Sequence, residues 1–481
     1  MSNKLGPAVA VLVAAALLLA PSALAEQRLI TIDTPSEHVD ESTAVFNGER
    51  PEVLRANVLL PDGYDAEPER EWPVLFLLHG VGDTYATWAK PKNGDILETA
   101  KGLPAIIVMP EGGKGFYTNW FNGGKRGDPG WERFYLEELI PQIERDFRVA
   151  PGRRNHAIAG LSMGGLGAAF LGGQRPDYFG TVSTFSGFVQ HQRPTVQVGI
   201  SAVAGVAYED IFGPLNGPYA TGHNPTRLAA NLGNTPVFAA TGNGVAEPGV
   251  ESSPNAIAGG GAVEAEIGQQ NQEFAAALRE AGVELDYRPG LGVHDWPYWR
   301  RYLKQAIEWG LFRDDVVQNP SRWTYSTIAT SGRMWGLRLK FAAPPMQVAR
   351  FERDGAVLRG EGAGTVTLAR RGCSFTADLP FERSLPSVAA GDDCGRLRVR
   401  VAPRGFRAGE RASVRVRVAR AAGGRTFPIS GALVRVGRSE ARTDDRGRAV
   451  LRHRFAGYPG RRSVRVAAPG FERVLVALRV Q

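Results

Sequence analysis

The 481 residues include 59 glycines, 32 prolines and 2 cysteines, with 43% apolar and 22% charged side chains. That apolar share excludes a disordered chain, and two cysteines exclude a small disulfide-built scaffold. The formal charge of +8 hides an asymmetry: from Pro320 onward 32 basic residues stand against 12 acidic ones, while residues 1–319 hold 25 against 37. The two parts, at +20 and −12, are different objects.

Lys4 precedes an apolar run over 8–20 and then Pro21-Ser22-Ala23-Leu24-Ala25. A basic start, a short apolar core and an Ala-x-Ala end predict a secretory signal peptide over 1–25. About 13 apolar residues are too few for a committed membrane span. Cleavage after Ala25 leaves Glu26 first, not a cysteine to be lipidated, so the product is expected to be secreted, extracellular or cell-envelope associated, with no transmembrane anchor. Cys373 and Cys394 are expected to form a disulfide worth about 3 kcal/mol.

Taken in order, short strands are predicted over 28–34 and 53–60. The continuous apolar runs 72–78 and 105–109 read as buried central strands. A helix is expected over 131–147. An apolar run from His156 leads into Gly160-Leu161-Ser162-Met163-Gly164, and a small-residue run leads out. That is strand, sharp turn, helix, the setting of a nucleophile elbow, in which the serine is exposed at the tip. A strand over 181–185, a loop-rich insertion over 187–234 and a strand over 237–241 follow. The last is closed by Gly242-Asn243-Gly244. Helices over 263–281 and 296–312 flank a strand over 284–288. Strands alternating with helices predict an α/β fold, mostly a parallel sheet with helices on both faces.

Past Asn319-Pro320 the helical spacing stops, and segments such as 411–418, 432–436 and 463–467 alternate arginine or polar residues with Val, Leu or Ala. Period two with one wet face predicts strands. We expect a catalytic domain over 26–315, a β domain with the disulfide over 316–395 and an Arg-rich, Ig-like β domain over 396–481. The arginines read most simply as solvated strand faces. In an exported protein they also fit an anionic envelope polymer better than nucleic acid.

A serine hydroxyl needs a base, and the base needs an orienting acid, in chain order Ser, acid, His. His191, His223, His294 and His453 follow Ser162. Only His294 falls in a strand-to-helix loop, Gly290 to Trp296, so it is the expected base. The loop after 237–241 offers Glu247 and Glu251 as acid, and Glu247, nearer the turn, is preferred. Backbone donors for the oxyanion are expected at Met163 N–H and at Val81 N–H, where Gly80 and Gly82 allow close approach.

Leu77-Leu78-His79-Gly80, Phe116-Tyr117-Thr118-Asn119-Trp120, the elbow, Asp210-Ile211-Phe212-Gly213-Pro214, Gly242-Asn243-Gly244 and His294-Asp295-Trp296-Pro297-Tyr298-Trp299 occur in order. Together they resemble the putative-esterase family of α/β-hydrolases, and most closely its secreted trehalose mycolyltransferase branch, over residues 45–312. The resemblance implies an α/β-hydrolase fold, Ser162, His294 and a glutamate of the 242–244 loop as triad, and oxyanion donors at Met163 and Val81. Trp120 and Trp296, within the shared motifs, are expected at the substrate site. Where that branch carries Asp-Gly-Leu-Arg beside the nucleophile, this chain has His79-Gly80-Val81-Gly82. The final domain is weakly similar to bacterial Ig-like or carboxypeptidase-regulatory-like modules.

The expected function is a serine esterase or acyltransferase acting on lipid or sugar esters at the cell envelope, with an acyl ester substrate and a sugar acceptor such as trehalose. An inactive relative, or an envelope-binding protein working through its basic tail, is the alternative. No metal-ligand spacing, phosphate loop or dinucleotide fingerprint implies a cofactor.

Overall fold

The computed structural model describes residues 26–39, 53–122, 129–254, 256–355, 357–370, 373–384, 397–422, 425–455, 457, 459–468, 471 and 474–481. The expected signal peptide, Cys394 with its disulfide, and the boundary near Gly395 lie outside the described residues.

The first part is built on eight strands: β1 (Arg28–Asp33), β2 (Arg55–Leu60), β3 (Val74–Leu78), β4 (Ile106–Pro110), β5 (His156–Leu161), β6 (Thr181–Phe185), β7 (Val237–Thr241) and β8 (Leu285–Pro289). They form one sheet in the order β1-β2-β4-β3-β5-β6-β7-β8. β1–β2 and β2–β4 are antiparallel. β3 to β8 are parallel throughout. Every residue of β3, β4, β5, β6 and β7 is buried, as a parallel sheet covered on both faces requires. The order and the coverage are those of the α/β-hydrolase fold.

The two faces bury separate cores. One contains Phe76, Ile158, Leu166 and Phe274; the other contains Leu75, Ala159, Phe238 and Leu303. The helix Met163–Gln174 is buried along its whole length, because it packs between sheet and outer layer. Its glycines let it lie that close. A Cβ on Gly164 would stand 2.6 Å from the carbonyl oxygens of both Leu78 and His79.

The segment 187–234 is more helical than its composition predicts. It holds helices Pro194–Ala204, Tyr208–Phe212 and Pro218–Gly222. In the first, Pro194 starts the helix, Gly205 ends it in the left-handed region, and Val196, Ile200 and Ala204 are buried at four-residue spacing. Start and stop residues therefore outweighed the loop-like composition.

Two β-sandwiches follow. One stacks two four-stranded sheets around Trp323, Tyr325, Met334 and Phe351. Arg153 ties it to the first part. Its guanidinium donates to the carbonyls of Phe179, Asn234 and Val317 and to Thr235 Oγ1, and lies 4.8 Å over Trp335. The last sandwich pairs a four-stranded and a five-stranded sheet around Val414, Val434, Leu451 and Val464. Among the described residues no helix is long and apolar enough to cross a membrane.

Candidate active site

The carboxyl ends of the parallel strands point into one crevice, where ligands of such sheets bind. Ser162 follows β5 directly and stands at φ 53°, ψ −120°, a backbone state a non-glycine residue holds only under constraint. The constraint is visible on both sides. Ser162 N–H donates to Phe185 O at 2.9 Å, and Ser162 O accepts from Gly165 N–H at 2.9 Å. A Cβ on Gly160 would lie 2.2 Å from Gly164 O, and one on Gly165 would lie 2.6 Å from Gly187 Cα. Only glycines let strand, helix and the loop after β6 close around the serine.

His294, in the loop after β8, places Nε2 2.9 Å from Ser162 Oγ. Its Nδ1 lies 2.6 Å from Glu264 Oε2. A carboxylate only accepts, so the Nδ1 proton is held there, and bare Nε2 is left to accept from the serine hydroxyl. Glu264 Oε1 accepts from Ser186 Oγ at 2.6 Å, Gly242 N–H at 2.6 Å and Thr241 Oγ1 at 3.2 Å. Burial would raise the Glu264 pKa. The hydrogen bond and charge of His294, with the Ser186 and Gly242 donors, outweigh it and hold the carboxyl below its ordinary value. Ser162 and Glu264 are only 3% and 1% exposed, so this chain of bonds is largely shielded from water.

The carboxylate facing His294 is therefore not the expected Glu247. Glu247 Oε2 is bonded to Arg301 Nη1 at 2.5 Å, both side chains being more than a third exposed. Glu251 is exposed. Glu264 sits in the first turn of the helix Gly261–Glu280, which the Gly242-Asn243-Gly244 turn brings in close. A Cβ on Gly242 would meet Glu264 Cγ at 2.9 Å, and one on Gly244 would meet Gly261 O at 2.4 Å. The turn does not supply the carboxylate that meets His294; it makes room for it. His294 N–H also donates to Gly260 O at 3.2 Å, which ties the loop after β8 to the N-cap of that helix. Asp295 caps the helix Trp296–Trp309 through Trp296 N–H.

Met163 N–H opens the helix after Ser162, and among the described residues neither it nor Val81 N–H has an acceptor within the protein. Gly80 lies against the serine, since a Cβ on it would be 3.3 Å from Ser162 Cβ. The orientation of its peptide is fixed by His79, which is 1% exposed. Gly112 N–H donates to His79 Nε2 at 2.9 Å, so Nδ1–H donates to Gly80 O at 2.8 Å, and Asp83 N–H donates to the same oxygen at 3.2 Å. In a trans peptide C=O and N–H point opposite ways, so Val81 N–H is turned away from His79. Burial would lower the His79 pKa, but Glu111, 3.3 Å from Nε2, more than reverses this, and the net direction is up. Asp83, in the same loop, is raised by burial to about 6, against the charges of His79, Lys90 and His294.

The rings that touch His294 are not those of Trp120 and Trp296. His294 makes edge contacts with Trp299 at 4.9 Å and Phe188 at 6.3 Å. Trp296 packs one ring further back, on Trp88 and Trp299. Trp120 is buried with its indole N–H on Gly115 O, and no ring contact or hydrogen bond joins it to Ser162 or His294 among the described residues.

Residues 50–309, more than half the chain, match the family described as Putative esterase. The chain belongs to this family. It is 30% identical over 248 residues to the diacylglycerol acyltransferase/mycolyltransferase Ag85A of Mycobacterium leprae, covering 48% of this chain and 72% of that protein. It is 39% identical over 132 residues to Esterase Rv1288 of Mycobacterium tuberculosis, covering 27% of this chain and spanning only 28% of that protein's length. Among solved structures, a ferulic acid esterase (25% identical, 60% of this chain and 98% of that one, TM-score 0.44) and Mycobacterium tuberculosis MPT51 (23%, 60% and 99%, TM-score 0.47) are similar. The family match falls within the eight-stranded part that holds Ser162 and His294.

Proposed function

We propose that this chain is an exported serine-dependent carboxylic ester hydrolase, with Ser162 as nucleophile, His294 as base and Glu264 as the orienting acid. The unbroken series of hydrogen bonds from Ser162 Oγ through His294 to Glu264 carries the reading. Ser162 Oγ adds to the ester carbonyl as its proton passes to His294 Nε2, and the oxyanion is met by Met163 N–H and Val81 N–H. Collapse breaks the bond to the alcohol, which leaves with the proton from His294 Nε2. An acceptor hydroxyl then attacks the acyl-enzyme by the reverse proton route and restores Ser162. The catalytic part would be residues 26–315, followed by two β domains.

Transfer to a sugar hydroxyl instead of water is a second reading. It is favoured by the similarity to mycolyltransferase Ag85A, which runs over nearly twice the length of that to Esterase Rv1288. The test is a panel of acyl esters of increasing chain length, with and without trehalose, on the native chain and on Ser162→Ala. Turnover should vanish in Ser162→Ala, and a fluorophosphonate should label the native chain at Ser162 alone. An active Ser162→Ala variant sinks the proposal. Acylated trehalose among the products would decide for transfer.

A further inference from the structure

The last sandwich carries a basic surface that the ester chemistry does not use. Residues 397–481 hold 21 arginines, no lysine and 5 acidic residues. They are not scattered. On the four-stranded sheet, Arg400 stands directly opposite Arg417, and Arg417 directly opposite Arg448, giving a row of three across adjacent strands. Arg411 faces Arg454 further along the same pair of strands. All five are exposed, and the strands Leu397–Ala402, Arg411–Ala422 and Arg448–Arg454 contain no acidic residue.

Arg454 lies at the edge where this sheet meets the other, and there it joins a second group. A cleft of about 740 Å³ is lined by Arg435, Arg454, Arg461, Arg462 and Arg465 with His453, and among the described residues by no acidic side chain. Arg435 stands directly opposite Arg465 on the five-stranded sheet. Glu440, at the rim, is bonded to Arg435 at 2.9 Å with both groups more than half exposed, a pairing too screened to neutralise the cleft. Like charges directly opposite each other on neighbouring strands destabilise a sheet. With Arg461 opposite Arg479 as well, such pairs occur five times among the described residues of this small domain, and they fit a surface that an anion completes.

We propose that this cleft and the adjoining sheet face bind a linear phosphodiester polymer through its phosphates alone. The guanidinium fork matches phosphate in two-point contact, and the domain uses arginine to the exclusion of lysine. Side chains on one strand face repeat at roughly 6.6–6.8 Å along the strand and about 4.8 Å across it. The lattice therefore offers successive anionic groups of a flexible chain a site each. Single-stranded nucleic acids are held by aromatic platforms as well as charge. Between the arginines of these rows stand Ala402, Ser413 and Val450; the one exposed aromatic ring of this sheet among the described residues, Phe427 on the strand Arg425–Pro428, lies under Arg420, so successive bases find no platform. The ligand is thus a polyol-phosphate type of chain.

The experiment measures binding of fluorescent poly(glycerol phosphate) to the full chain by anisotropy across a salt series. Three triple variants are compared: Arg454→Gln/Arg461→Gln/Arg465→Gln in the cleft, Arg400→Gln/Arg417→Gln/Arg448→Gln on the face, and Arg322→Gln/Arg350→Gln/Arg359→Gln as control. The control removes the same charge from the other sandwich, where each arginine is already paired with an acid. Each of the first two should lose about tenfold or more in affinity and about 2 in the slope of log affinity against log salt. The control should change less than about twofold, and small-ester turnover should be unchanged in all three. Equal loss in the control means attraction by net charge alone and overturns the site. So does an absence of binding at about 50 mM salt, where phosphate contacts are strong. Tighter binding of oligothymidylate with the same number of phosphates would overturn the base-blind reading in favour of nucleic acid.

Discussion

Glu264→Gln separates the two carboxylates that compete for the role of acid. In the native site Glu264 accepts four hydrogen bonds: from His294 Nδ1, Ser186 Oγ, Gly242 N–H and Thr241 Oγ1. A glutamine of the same shape has one accepting end. The Ser186 and Thr241 hydroxyls can turn to accept, but Gly242 N–H cannot, so the amide oxygen must stay on it. The NH2 group then faces His294 Nδ1, which becomes an acceptor, and the ring proton moves to Nε2. That tautomer cannot take the proton of Ser162. We expect kcat to fall by about 10²–10⁴, or about 3–5 kcal/mol in the barrier, with KM for a short ester little changed. Glu247→Gln breaks only a half-exposed pair with Arg301 and should stay within about threefold of native. The assay is steady-state hydrolysis of p-nitrophenyl acetate by both variants, with fluorophosphonate labelling rate as a second readout. A Glu264→Gln enzyme with native kcat, or a Glu247→Gln enzyme that is the worse of the two, refutes the reasoning.

Two further predictions concern stability. Asp83 is raised by burial to about 6, so its charge opposes folding once it ionises. The contribution of Asp83 to native stability should fall as pH rises from about 4 through 6, so Asp83→Asn should be more stable than native at pH 8 by at most about 3 kcal/mol, the gap closing below pH 4. Denaturant melts at the two pH values check this, and a gap that widens in acid contradicts it. Gly164→Ala should cost several kcal/mol, because its Cβ meets two backbone oxygens at 2.6 Å. Gly199→Ala, mid-helix with nothing within 4 Å, should gain about 0.5–1 kcal/mol. Thermal melts of both variants test the pair, and equal effects would show that close approach is not what the elbow glycines serve.

What the sequence determined by itself was whatever is written in neighbouring residues. The Gly160–Gly164 elbow, the all-apolar strands β3 and β4 and the alternating arginines of 411–418 are local patterns, legible at period zero, two or three to four. Export, the disulfide and the domain limits stayed expectations. In the candidate site the places of Ser162 and His294 were legible, because each sits in a glycine-rich turn at the end of a strand. The carboxylate beside them was not, because two unrelated parts of the chain decide which one meets His294 Nδ1. Gly242 and Gly244 must let the helix Gly261–Glu280 approach, and the first turn of that helix must then face the loop after β8. One signal was present. Glu264 falls on the same helical face as Ile267, Asn271, Phe274 and Leu278, all buried, and a carboxylate in a buried stripe must have a partner. The arginine lattice divides the same way. Alternation along each strand is in the sequence, but the rows Arg400–Arg417–Arg448 and Arg435–Arg465 exist only through strand register, which tertiary pairing alone sets.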